Sequence, residues 1–525
     1  MKRYVLAAIV LYLCAPVARA QNEIPLKYAA TITQNDLKKQ LTIIASAEME
    51  GRETGTEGQR KAAAYIESQF KSFGLQPAAA LKGFQQYYPL MKDTLVPRKL
   101  KIGNKELKYG TDYILMSTST ADKEVKADEL VFAGYGIDDS TYNDYAGKDI
   151  KNKIVVILSG EPQVNGNYLV SGTNRPSRWG FSSTMKVRAA AEKGAAGIIM
   201  VNSSWNTIPD RLAESSKSGN LYFPREASST SLNLMAIPPS GLAAVLGADN
   251  AASILAAAKN KEALNTKTVS AKSKFALSFK KSTTQIDASN VLGYVEGSDK
   301  KDEYVFVTAH YDHIGKRGNV INYGADDDGS GTVSVIELAE AFVEAKKDGH
   351  GPRRTVVFMT VSGEEKGLWG SEYYSENPVF PLENTTVDLN IDMIGRLDPN
   401  RKHGDSTNYV YVVGDDKLSS DLKPISIAIN DAYTKLELDY KFNDPNDRER
   451  IYFRSDHYNF ARKGVPIIFY FDGIHADYHK PTDTVDKINF DVLEKRARFV
   501  FHTAWEMANR EEMLKRDIPL PEATR

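Results

Sequence analysis

Five short polar clusters follow apolar runs in the second half of the chain, and each contains residues able to hold a metal ion or move a proton. The first is Thr308-Ala309-His310-Tyr311-Asp312-His313, directly after Val305-Phe306-Val307. His310 offers an imidazole, and Asp312 could accept from its other nitrogen, fixing the tautomer. A lone His after a strand is more often structural, so this cluster does not decide the matter. The second is Gly324-Ala325-Asp326-Asp327-Asp328-Gly329-Ser330-Gly331. Three successive carboxylates repel unless a cation neutralises them. A calcium loop is a rival, with Asp326, Asp328, Ser330 and Glu337 as ligands, but no helix is predicted before it.

The third cluster, Ser362-Gly363-Glu364-Glu365-Lys366-Gly367, places two carboxylates side by side. In extended backbone they point opposite ways, so Glu365 can face a metal and Glu364 serve as general base. In the fourth, Asp392 ends the apolar run Leu389-Asn390-Ile391, where an unpaired carboxylate would be costly. The fifth runs from His475 to Thr484. Its two histidines, His475 and His479, are four apart, but Gly473 and Pro481 argue against a helix, so one ligand rather than two is expected. Together the clusters give His, Asp, Glu, Asp, His, a donor set suited to two divalent ions. Two such ions could hold a water, and Glu364 could take its proton and pass it to a leaving amine.

Those residues must be positioned by a framework, and the chain from Asn290 onward supplies one. Apolar strands are predicted at Val305–Val307, Thr355–Val361, Leu389–Ile391, Val410–Val413 and Ile467–Phe471, separated by helices that include Gly331–Lys347 and Asp491–Arg510. Alternation of this kind implies an α/β fold with a mostly parallel central sheet flanked by helices. Ligand sites in such sheets lie beyond the carboxyl ends of the strands, where the clusters sit. Two amphipathic helices precede this region, around Leu37–Ala45 and Ala62–Phe70. Between Leu107 and Lys280 the text changes to short β-type runs, with no histidine. All eight histidines lie from His310 onward.

The chain has 525 residues, 42% hydrophobic and 26% charged, with a formal charge of -1. Two domains are expected on size. A nucleic-acid partner is not expected without a basic balance. Residues 1–20 read as a signal peptide: Lys2 and Arg3, an apolar run from Val5 to Val17, then Ala18-Arg19-Ala20. That run is too short for a membrane span. The single cysteine, Cys14, lies within it. Lipid attachment there is not expected, because Leu13 precedes it. The mature chain would lack thiols, so any metal must be held by nitrogen and oxygen, and a periplasmic or extracellular location is expected.

The clusters resemble the two-zinc aminopeptidase family, which includes bacterial leucyl aminopeptidases, aminopeptidase Y and glutamate carboxypeptidases. The resemblance runs from about Asn290 to Glu506 and takes in Glu50-Gly51-Arg52 and Gly55-Thr56. It implies an exported zinc exopeptidase acting on peptides, an aminopeptidase first, with carboxypeptidase or dipeptidase action, or a glutaminyl cyclase-like acyl transfer, as alternatives. It further implies that His310 and Glu365 bind one of two Zn2+ ions, that Asp392 and His479 bind the other, and that Asp327 bridges them before a cis peptide. Cobalt or manganese could take the same ligands. Glu364 falls on the general base and Asp312 on the partner of His310. Asp328, Tyr478 and, within Ser455-Asp456-His457, His457 are expected beside the metals or facing substrate. His313, His350, His403 and His502 are expected to be surface or structural.

The middle segment resembles an inserted protease-associated domain, carried by Asp144-Tyr145-Ala146-Gly147-Lys148-Asp149 and by Ala189 to Ala195. Its role by analogy is to shape substrate access. The expected division is therefore signal peptide 1–20, first part of the peptidase domain 21–107, a smaller β-rich α/β insert 108–283, main catalytic part 284–515 and tail 516–525. Oligomeric state is not legible.

Overall fold

The computed structural model describes residues 23–118, 124–218, 220–224 and 232–520. The expected signal peptide, Cys14 and the end of the tail lie outside the described residues. The chain divides into two units, one of Met1–Tyr88 with Asp287–Arg525, the other of Pro89–Ile286. The expected boundary after residue 107 falls later than the observed one. Leu100, Ile102 and Leu107 explain the difference: they are buried in the core of the second unit, on the paired antiparallel strands Gln85–Ile102 and Lys105–Leu107.

The sheet of the first unit is built on four adjacent parallel strands. Lys300–His310 pairs on one side with Arg354–Val361 and on the other with Thr385–Ile391, which pairs in turn with Ile467–Phe471. Tyr409–Val413 and Val291–Val295 add antiparallel strands at the two ends of this set. The sequence writes these strands as near-continuous apolar runs because both faces are covered. Every residue of Arg354–Val361 and Thr385–Ile391 is buried. Alternate side chains enter different cores: Val305, Val307 and Ala309 pack on one face, Phe306 on the other, as period-two geometry requires.

Helices Gln34–Ile44, Glu57–Phe73, Gly331–Lys347 and Phe490–Asn509 supply the first of those faces. Thr33 caps the first of these, its hydroxyl accepting from Asp36 N. Gly74 ends the second with φ 99°, a left-handed conformation that glycine adopts without a Cβ penalty.

The second unit has its own parallel set in the order Glu124–Phe132, Ile154–Leu158, Gly197–Val201, Leu234–Ile237. The first of these pairs antiparallel with Val269–Ser278. Helices Ser183–Glu192 and Ala248–Lys259 contribute to its core. None of the helices among the described residues is long and apolar enough to cross a membrane.

Candidate metal centre

The strand register brings three clusters to one edge of the first unit's sheet. His310 is the last residue of its strand and lies opposite Val361, while Thr308 lies opposite Asn390. Glu364 and Asp392 therefore begin just beyond the carboxyl ends of the two flanking strands. The loop after Ile467–Phe471 carries His475 and His479, and it is not helical. His479 and Met393 both hold left-handed backbone, at φ 56° and 61°, a conformation costly for non-glycine residues that collects at functional sites.

Two groups of donors converge on Asp327. Its Oδ1 lies 3.3 Å from His310 Nε2, which is 3.6 Å from Asp392 Oδ1. Its Oδ2 lies 3.1 Å from His479 Nε2, which is also 3.1 Å from Glu365 Oε2. The His313 Nδ1 atom sits 2.8 Å from Glu365 Oε1. His310, Asp327 and Asp392 thus form one set able to hold a cation, and His313, Asp327 and Glu365 a second. His310 Nε2, His313 Nδ1, Asp327 Oδ2 and Glu365 Oε1 are buried, and their close approaches are not aligned as hydrogen bonds. Buried polar atoms are normally paired, so orphans that face one another across a shared carboxylate fit divalent ions.

This grouping corrects the pairing that the resemblance implied. His310 Nε2 shares its set with Asp392 Oδ1, 3.6 Å away, while Glu365 contacts His313 and His479 instead. The Glu364–Lys366 segment is a 3-10 turn and not extended backbone. At three residues per turn its neighbours diverge sideways. Glu364 is turned toward His310, 4.0 Å from Nε2, and Glu365 toward His313 and His479.

The neighbours of Asp327 are committed elsewhere. Asp328 accepts from the amides of His310, Gly331 and Met393. Asp326 accepts from Gly395 N at 2.7 Å and faces His475 Nε2 at 3.2 Å. His475 is thereby drawn away from the two donor sets. Asp483 accepts from the amides of Asp326 and Asp327. The Asp327–Asp328 peptide is cis. Glu337 lies in the helix Gly331–Lys347, outside both donor sets, so the calcium-loop arrangement does not form.

Charges in the cluster are strongly displaced. Burial opposes ionisation of Asp327, yet His310, His313 and His479 hold it well below the usual carboxylate range. Burial works against the charged form of His310, but Asp392, Glu364, Asp312 and Asp327 hold it well above an ordinary imidazole. Burial, reinforced by Glu365 and Asp392 against the opposing His310, raises Glu364 well above its usual range.

Asp312 acts differently from the sequence expectation. His310 Nδ1 meets the backbone carbonyl of Asp312 at 3.1 Å, while the side chain is 3.7 Å away. The Asp312 carboxylate accepts from Thr54 Oγ1 at 2.6 Å and from Glu364 N at 3.2 Å. It ties the 3-10 turn to the His310 loop. His457 does not reach the cluster in this way. It is fully buried, bonded through Nε2 to Tyr452 O at 2.8 Å and stacked on Phe469. Tyr478 stacks on the His479 ring at 3.9 Å and accepts from Arg454 through its hydroxyl.

Sequence reasoning missed His313, which is fully buried. Its place three residues after His310 was the available signal. It also left Arg52 without a role. The Arg52 guanidinium is fully buried and donates to the carbonyls of Tyr311, Ile44, Tyr323 and Gly324 at 2.7–2.9 Å. It pins the segments that carry His310 and lead into Asp327.

Two buried His-containing donor sets thus share Asp327 at the carboxyl edge of a parallel sheet, where ligand sites of such folds lie. Residues 290–504 match the model of Peptidase family M28. A probable leucine aminopeptidase of Arthroderma otae is 29% identical over 215 residues, 40% of this chain and 55% of the relative. A probable zinc metalloprotease of Pyrenophora tritici-repentis is 27% identical over 268 residues, 42% and 52% of the two chains. The chain thus spans about half the length of these curated relatives. The aminopeptidase from Aneurinibacillus sp. strain AM-1 shares the fold with a TM-score of 0.57 at 20% identity, over 95% of this chain and 99% of that one. The zinc aminopeptidase of Bacillus subtilis gives 0.54 at 18%, over 93% and 99%.

Proposed function

We propose that the protein is an exported metallo-aminopeptidase with two zinc ions, one held by His310 and Asp392, the other by Glu365 and His479, with Asp327 between them. The observation that carries this reading is the sharing of Asp327 by two imidazole–carboxylate sets, with buried Glu364 beside them. His313 joins the Glu365 set. When bound, the ions polarise the scissile carbonyl and acidify the attacking water.

The protein's own groups do the rest. Glu364 Oε2, raised by burial, takes the water's proton and hands it to the departing amine. Asp312 fixes the Glu364 amide and, through its carbonyl, the His310 ring. Asp328 and Asp326 hold backbone amides so that only Asp327 of the three aspartates is free to face both sets. Residues 1–20 direct export to the periplasm or beyond, consistent with a nitrogen and oxygen donor set that needs no thiol.

Two measurements on the purified protein test this. Metal analysis is expected to give two zinc ions per chain, and a leucyl anilide with a free amine to be cleaved while its N-acetyl counterpart is not. Cleavage of the acetylated compound alone would replace the aminopeptidase reading with carboxypeptidase or related action. One ion per chain with cyclisation of an N-terminal glutaminyl peptide would move it to acyl transfer.

A further inference from the structure

The second unit contains a cavity of about 510 Å³ lined only by its own residues. This volume lies within the range of pockets that bind small ligands, about 300–1,000 Å³. Its position in the fold is informative. Tyr135 follows the strand Glu124–Phe132, Ser159 and Gly160 follow Ile154–Leu158, Ser203 follows Gly197–Val201, and Pro239 follows Leu234–Ile237. The cavity therefore opens at the carboxyl ends of all four parallel strands, the edge at which open α/β sheets receive ligands.

Its chemistry is apolar with a cationic bias. Tyr135, Tyr168, Phe181, Leu255 and Ala258 supply rings and aliphatic surface. Lys259 and Lys261 also line it, both exposed. Neither ammonium has a carboxylate partner among the described residues, and that of Lys261 stands 5.5 Å from the Tyr168 ring. The one acid in the wall is already occupied: Glu161 is buried, its Oε1 accepting from Val170 N and its Oε2 from Ser177 N and Oγ. A third cation lies beneath. Buried Lys186 donates to Gly160 O at 2.7 Å, and burial lowers it only to about 8, opposed by Asp144 and Glu161, so it is largely charged at neutral pH.

We propose that this cavity binds the carboxyl-terminal end of a peptide whose last residue is aromatic or branched aliphatic. The terminal side chain fills the space between Tyr135, Tyr168 and Leu255, and its carboxylate meets Lys259 and Lys261. Phe181, 73% exposed at the cavity, favours a chain over a compact anion, because it offers apolar surface to the preceding residue. The proposal concerns the second unit alone and does not depend on the peptidase reading of the first.

The test is calorimetric titration of the full-length protein with an N-acetylated pentapeptide ending in Phe, as the free acid and as the amide. The acid is expected to bind at least tenfold tighter than the amide. The double variant Lys259→Ala/Lys261→Ala is expected to lose that difference while cleaving a free-amine anilide as fast as the parent. Leu255→Trp, which fills the cavity, is expected to lose both ligands. Equal binding of acid and amide would overturn the proposal. So would full affinity in the lysine variant, which would place the peptide elsewhere on the protein. Phenylacetate binding as tightly as the peptide would overturn the assignment to a peptide terminus.

Discussion

Arg52 gives the most direct test of how the metal centre is held. Its guanidinium makes four hydrogen bonds from three nitrogens to carbonyls of three segments, at Ile44, Tyr311 and the adjacent pair Tyr323 and Gly324. In Arg52→Lys the charge remains, but a single ammonium at the end of a flexible stem cannot span acceptors placed for a planar fork. We expect it to keep no more than two of the four. Each buried acceptor left unpaired costs about 1–3 kcal/mol, so the loss is about 4 kcal/mol. For a unit of roughly 330 residues, an unfolding entropy of about 2.1 cal/mol/K per residue turns this into a fall in Tm of about 6 °C. Differential scanning calorimetry of the metal-loaded variant measures it. Because the freed carbonyls border the His310 and Asp327 loops, metal retention against a chelator should fall with it. An unchanged Tm together with unchanged metal retention would refute the reasoning, and would mean that packing alone positions these loops.

Glu364→Ala should keep both metals and lose turnover by at least about a hundredfold, the usual contribution of a general base; parent-like turnover would remove Glu364 from that role. His313→Ala should weaken retention of one metal about 10–100-fold and leave the other unaffected, read by stepwise chelation, and equal loss of both ions would contradict the grouping around Glu365. His457 is held at about 3 by burial, so the folded state keeps it neutral while the unfolded chain protonates near 6.5. Its contribution is fully present above that pH and is lost as pH falls toward 3, at about 1.4 kcal/mol per unit. His457→Gln should flatten the stability slope between pH 6 and 4.5 by that amount in urea titrations, and a parallel slope in the variant would show that the ring is not buried neutral.

What the sequence made legible follows from where information sits locally. Strands buried on both faces write themselves as apolar runs, so Arg354–Val361 and Ile467–Phe471 could be read directly. Polar residues that end such runs stand out, and His310, Asp392 and the Glu364-Glu365 pair were found that way. The partnership of His310 with Asp392 was not readable, because the strands leading to Asp392 and to Glu365 both flank that of His310, and the turn after Val361 decides which carboxylate faces it. The 3-10 turn at Glu364 was hidden as well, since Gly363 and Gly367 mark a bend without giving its rotation. His457 reads as a functional motif beside Asp456, yet its ring is turned into an aromatic core by Phe469 and Tyr452. Arg52 carries no local sign of its four acceptors, because three of them lie more than 250 residues later.

That last separation has a consequence for how the protein is made. The helices Gln34–Ile44 and Glu57–Phe73 leave the ribosome well before the strands they cover, with the whole of Pro89–Ile286 in between. Leu37, Leu41, Ile66 and Phe70, all fully buried at the end, have no partner surface during that interval. Domains generally fold as units in the order of synthesis, so the interrupting unit can complete its own core while the opening helices wait as exposed apolar chain. Docking of the early segment is therefore a late event, and it brings the Arg52 guanidinium to the carbonyls of Tyr311, Tyr323 and Gly324.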